Sequence, residues 1–162
     1  MPPLDQADVV KCALASETLR SSGSLRLQVT GWSMLPAVMP GEVLIVERVE
    51  PKNVSAGDVV LFERDHRLFA HRVIALDHSD GGMITKGDAM LRPDRPVSES
   101  ELLGKVSFLI RNGKMLQPNR RPGAVHRAIA AVVGRSRAAA RIVVGVYRLL
   151  GRPQETAAVC QN

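Results

Sequence analysis

Residues 25–30 read Leu25-Arg26-Leu27-Gln28-Val29-Thr30, an alternation of apolar and polar side chains that runs directly into Gly31. Successive side chains of an extended backbone point to opposite sides, so this spacing predicts a strand with one buried and one wet face. The next residues, Gly31-Trp32-Ser33-Met34-Leu35-Pro36, end the alternation, and Pro40-Gly41 turns the chain again. Val43-Leu44-Ile45-Val46 then predicts a buried strand. Further downstream, Val59-Val60-Leu61-Phe62 is entered through the turn residues Gly57-Asp58. Leu68 to Leu76 and Met83 to Thr85 form a hairpin pair around Asp77 to Gly82. Gly104 to Ile110 and Lys114 to Leu116 turn at Asn112-Gly113, a strong signal for a two-residue hairpin. The expectation is a mainly β protein.

Helical patterns flank this region. From about Leu4 to Arg20, Val9, Val10, Ala13 and Leu14 recur at helical spacing, Leu19 falls off that face, and Ser21-Ser22-Gly23 stops the pattern. From Ala124 to Leu150 the chain is aliphatic with regularly spaced arginines. On one continuous wheel Arg127, Arg137, Arg141, Arg148 and Arg152 fall within roughly 80° of each other, Arg135 being the outlier. That predicts a cationic amphipathic helix, with Gly134 and Gly145 as candidate breaks. The expected organisation is an N-terminal helix over 1–23, a β domain over 24–117 and a basic helical tail over 118–162.

The length of 162 residues suits one domain with terminal attachments, and 45% hydrophobic with 23% charged residues is globular composition. Aromatic residues make up only 3%, which argues against a nucleic-acid surface built on base stacking. The 22 Lys+Arg against 16 Asp+Glu give a net charge of +6, and the excess lies in the tail, where no acid occurs between Arg111 and Arg152. Cys12 and Cys160 fit neither a zinc site nor a disulfide framework, and no N-terminal apolar run has the length of a signal peptide or membrane span. These features lead us to expect a cytoplasmic protein, with peripheral contact to an anionic membrane through the C-terminal helix as an added possibility. No metal or cofactor is called for.

A serine hydroxyl becomes a useful nucleophile only when a neighbouring base takes its proton. Ser33, at a strand end between turn-forming residues, is the candidate nucleophile. Among His66, His71, His78 and His126, only His71 lies inside a strand-like run, Phe69-Ala70-His71-Arg72-Val73-Ile74, where a base would be held in register. Lys86 is the alternative base. Asp88 and Asp94, both within the stretch that starts Ile84-Thr85-Lys86-Gly87-Asp88, are candidates for the carboxylate that orients the base. Trp32, Met34 and Pro36 are candidate substrate contacts, core packing being the competing reading, and Asp58 reads as a turn former.

Taken together, Gly31-x-Ser33-Met34-x-Pro36 with Pro40-Gly41, then Gly57-Asp58-Val59-Val60, His71-Arg72-Val73, and Lys86-Gly87-Asp88 with Asp94 resemble the signal peptidase I family and the related repressor-type self-cleaving serine peptidases. The resemblance spans roughly residues 25 to 110. It implies a fold of coiled antiparallel sheets, Ser33 as nucleophile, His71 as base in a His-Arg pair, Asp94 as third member and Asp88 close by. It further implies a peptide or preprotein substrate cut after small residues and bound as an added strand. Departures are Gly31, where some relatives place a serine that helps the oxyanion; Glu42, where aspartate is usual; and Ala89-Met90, where asparagines are common. The family's membrane anchor has no visible counterpart. The roughly 25 residues before the first strand are too few for the DNA-reading domain of a repressor. A catalytically silent peptide-binding module is a further alternative.

Overall fold

The computed structural model describes residues 6–76 and 82–150. Its centre is an antiparallel sheet of seven strands: β1 (Ser24–Gln28), β2 (Val43–Glu47), β3 (Val59–Arg64), β4 (Arg67–Leu76), β5 (Met83–Lys86), β6 (Leu102–Arg111) and β7 (Lys114–Leu116). The order is β1-β2-β6-β3-β4-β5, with β7 paired to β6. The mainly β expectation therefore holds. Most of the turn expected over Asp77 to Gly82, including His78, lies outside the described residues, as do Leu4, Asp5, Arg152 and Cys160.

Long β6 organises the sheet. It pairs β2 through residues 105–110 and β3 through residues 102–105. At the changeover Gly104 meets the Glu47 carbonyl so closely that a Cβ would stand 2.5 Å from it, which admits only glycine. Pairing shifts between Ile45 and Val46, between Leu61 and Phe62, and between Val73 and Ala75 add local twist. Asn112 and Gly113 both take positive φ, 50° and 73°, as their hairpin requires.

Helix α1 (Gln6–Ser22) packs on this sheet, but not by the face expected from its sequence. Cys12, Ala15 and Leu19 are buried, whereas Val10 and Leu14 are exposed. Residues 12, 15 and 19 share a stripe at spacings of three and four. Two of the three are too small or too weakly apolar to stand out in the pattern. Leu19 joins Met34, Val38, Leu44, Val46 and Leu61 in the main core cluster.

The C-terminal helical region, for which Gly134 and Gly145 were candidate breaks, is two helices, α2 (Ala124–Arg135) and α3 (Arg137–Leu150). The break falls at Ser136, whose backbone is extended and whose Oγ accepts the Ala139 N–H at 3.3 Å, capping α3. Gly134 and Gly145 stay helical. Gly134 has a packing role instead, since a Cβ there would lie 2.3 Å from the Ala89 carbonyl oxygen. Leu35, Met39 and Ala89 meet Val133, Ala140 and Val144 in a second core between the β domain and the helical pair.

Candidate active site

The chain between β1 and β2 is pinched at its base. Val29 N–H donates to the Glu42 carbonyl at 2.8 Å, and Gly41 N–H donates to the Val29 carbonyl at 2.7 Å, with Gly41 at φ 97°. Residues 30–40 are thereby closed into a loop with a cis Leu35–Pro36 peptide and a helical turn in which Val38 N–H reaches the Met34 carbonyl at 3.0 Å. Leu35 and Met34 point inward, at 0% and 4% exposure, and fix the loop to both cores. Ser33, between exposed Trp32 and buried Met34, is left at the lip of a cleft.

Strand β4 brings the partner. The His71 ring lies against Phe62 and Phe69, with centroids 5.9 and 5.8 Å away, and the residue is 4% exposed. With Nδ1 protonated, the ring donates to Asp94 Oδ2 at 2.7 Å, and Nε2 accepts from Ser33 Oγ at 2.9 Å. A serine, an imidazole and a carboxylate in that order form the hydrogen-bonded relay that acyl transfer requires. Asp94 is itself held from two sides. Thr85 Oγ1, fully buried, donates to the same Oδ2 at 2.7 Å, and Asp94 N–H donates to the Thr85 carbonyl at 2.8 Å. Thr85 was not singled out in the sequence, although its place one residue before Lys86 on a strand facing His71 was a usable clue.

The register separates the two aspartates. Val73 pairs with Thr85, and Arg72 pairs with Lys86, so His71 and Thr85 share one face of the sheet while Arg72 and Lys86 share the other. On that far face Arg72 grips Asp88 with two bonds of 2.8 Å and also donates to the carbonyls of Gly57 and Asn119, at 2.9 and 2.7 Å. Asp88 is therefore a structural partner of Arg72 and does not touch His71. Its carboxylate is satisfied by Arg72, with Ala89 and Met90 at the next two positions. Lys86, the alternative base, opens with Asp88 and Pro36 onto a recess behind the sheet and not onto Ser33. Pro36 is thus removed from the cleft, whereas Trp32 and Met34 line it.

Glycine at 87 braces the Ser33 loop. A Cβ there would stand 2.7 Å from the Ser33 carbonyl oxygen and 3.0 Å from the Ser33 Cβ, and Ala89 N–H donates to that same carbonyl at 2.8 Å. The Lys86-Gly87-Asp88-Ala89 segment backs the loop directly. Gly31 has open space where a side chain would go. Asp58 serves as expected for a turn former, accepting the Ser55 N–H at 3.0 Å, and it also receives Arg120 at 2.7 Å.

Glu42 is buried at 4% exposure and accepts from Met39 N–H at 3.0 Å, from Tyr147 Oη at 2.7 Å and from Arg111. Burial first, then the neighbouring Glu42, pushes the Tyr147 phenol up to about 12, so it remains a donor. The same carboxylate lifts the Arg111 guanidinium above its ordinary value.

The cleft itself has a volume of about 620 Å³. Its apolar wall includes Leu27, Val29, Leu61, Leu68 and Ala70, and α1 contributes Asp8, Lys11 and Cys12. Burial, Glu63 and Asp8 raise the Cys12 thiol above its ordinary value, so it stays protonated and behaves as packing. No group of three or more metal-ligating side chains occurs among the described residues. No curated protein matches the chain. The family profile described as Peptidase S24-like matches residues 3–106, which takes in α1, the Ser33 loop, His71 and Asp94, and on that match the chain belongs to the Peptidase S24-like family of serine peptidases and self-cleaving proteins.

Proposed function

We propose that the protein is an endopeptidase that cuts a peptide bond after a small apolar residue, through an acyl-enzyme on Ser33. The observation that carries this reading is the Ser33–His71–Asp94 relay, with contacts of 2.9 and 2.7 Å. His71 takes the Ser33 proton as Oγ attacks the carbonyl carbon and returns it to the leaving amine. Water then repeats the sequence to release the acyl group. Asp94 holds the ring in the tautomer that leaves Nε2 free to accept. The Ser33 backbone N–H is the natural first donor to the oxyanion.

Topology supports an extended substrate. Residues 27–31, at the outer edge of β1, and residues 67–71 of β4 face the same cleft, and among the described residues neither of these edges is paired by a strand on its cleft side. A peptide laid between them would gain main-chain hydrogen bonds on both sides and present alternate side chains to the apolar wall. Peptides with Ala before the scissile bond should be cleaved by wild type and left intact by Ser33→Ala. A fluorophosphonate should label Ser33 and no other residue. Equal turnover by the two proteins would remove the proposal.

A second reading, self-cleavage, is favoured by α1, which belongs to the same chain and already lines the cleft through Asp8, Lys11 and Cys12. Intact mass of purified protein over time separates the two readings, because self-cleavage generates two fragments at a rate independent of protein concentration.

A further inference from the structure

Both C-terminal helices carry apolar side chains beyond those their packing consumes. In α3, Ala140 and Val144 are buried against the β domain, while Ile142, Val146 and Leu149 are 65%, 48% and 78% exposed. Residues 142, 146 and 149 lie within roughly 60° of one another and about 180° from the buried stripe. In α2, Val125 and Val132 are likewise exposed, at 72% and 59%, and share one stripe. A surface helix normally shows one apolar stripe and a polar remainder. Here a second stripe stands open.

Charge defines what could cover it. Between Glu101 and Glu155 the sequence holds no acidic residue, so nothing along these helices repels an anion. Arg141 flanks the α3 stripe. An apolar stripe with a cation at its margin and no acid along the helix matches the layering of an acidic lipid leaflet, in which phosphates lie above acyl chains.

We propose that α3 docks on an anionic phospholipid membrane, its exposed aliphatic stripe entering the headgroup–acyl boundary with Arg141 at the level of the lipid phosphates. A protein partner would need its own complementary acids and a fitted apolar surface, whereas a leaflet of acidic lipid supplies both without shape matching. Nucleic acid would satisfy the arginines but leave Ile142, Val146 and Leu149 wet. The proposal does not depend on the reactivity of Ser33.

Sedimentation of the full chain with vesicles tests it. Vesicles of phosphatidylcholine with phosphatidylglycerol should carry the protein down, and phosphatidylcholine alone should not. Ile142→Asp with Leu149→Asp should lower the apparent affinity at least tenfold, and both positions are exposed enough for the fold to tolerate the change. Arg141→Gln should lower it by roughly fivefold, the worth of one cation near such a surface. Thermal unfolding of each variant checks that the fold is kept. Absence of binding to acidic vesicles, equal binding to neutral ones, or unchanged binding by the Ile142/Leu149 variant would overturn the proposal. So would retention of duplex DNA with acidic vesicles left unbound.

Discussion

Asp88 and Asp94 stand six positions apart and meet different fates because the strand before them sorts neighbours onto opposite faces of the sheet. The distinction predicts opposite phenotypes. Asp94→Asn keeps the shape of the side chain but favours the wrong imidazole tautomer, so Ser33 acylation should fall by about 10³- to 10⁴-fold with a small change in melting temperature. Asp88→Asn leaves the buried Arg72 guanidinium without its counter-charge, and stability should drop by about 3 kcal/mol or more. Rates of fluorophosphonate labelling and thermal melts on the same samples separate the two. The sequence placed Ser33 and His71 within reach by their motifs, but it left the choice between these aspartates open, because a register is fixed by pairing and not by spacing. Thr85 went unnoticed for the same reason. Glu42 looked like a minor departure, yet one extra methylene lets a buried carboxylate meet Arg111 and Tyr147 together.

Elements that carry no catalytic group also bear on the site. The β3–β4 hairpin turns through Asp65 and His66, both at positive φ of 51° and 57°. A left-handed backbone costs any L side chain and costs glycine nothing. His66→Gly should therefore stabilise the protein by about 0.5–1 kcal/mol, read as a higher denaturant midpoint at constant slope. The sequence announced the other hairpin through Asn112-Gly113 and hid this one, since Asp-His lacks the glycine signal. Just beyond the hairpin, Arg64 binds Glu101 at 2.6 and 2.8 Å and the carbonyls of Arg95 and Pro96 at 3.1 and 2.8 Å, clamping the segment that follows Asp94. The Arg64 hydrogen bonds hold the Glu101 carboxyl at about 2, against an ordinary 4.5. A depressed carboxylate contributes stability that is complete above the unfolded value and is lost as pH falls through the folded one. The stability gap between wild type and Glu101→Gln should be constant above pH 5 and shrink between about 4.5 and 2, followed by melts across that range.

Across the whole molecule, α3 is tied to the β domain through Tyr147. Its hydroxyl donates to Glu42, and Arg111 lies 5.8 Å from its ring centre. Tyr147→Phe removes one bond to a buried carboxylate and should cost about 1.5–3 kcal/mol. Limited proteolysis should then cut within α2 or α3 before it cuts the sheet. The mainly β architecture was legible because the seven strands announce themselves through alternation, short apolar runs or turn residues at their ends. The position of the break in the C-terminal helix was not, because Gly134 reads as a weak point in sequence when its lack of a side chain lets α2 approach Ala89. Local propensity describes a helix alone, and this one is shaped by what lies beneath it.

Ala89 therefore has two neighbours that rarely share a residue: its N–H holds the Ser33 carbonyl, and its own carbonyl rests against Gly134. A single residue spans the distance from the Ser33 loop to the outer helix. Trimming the chain ahead of Ala124 would bare Leu35, Met39 and Ala89 to water and replace a firm backing with a soft one. The basic tail, which has the look of an appendage, is a retaining wall for the serine.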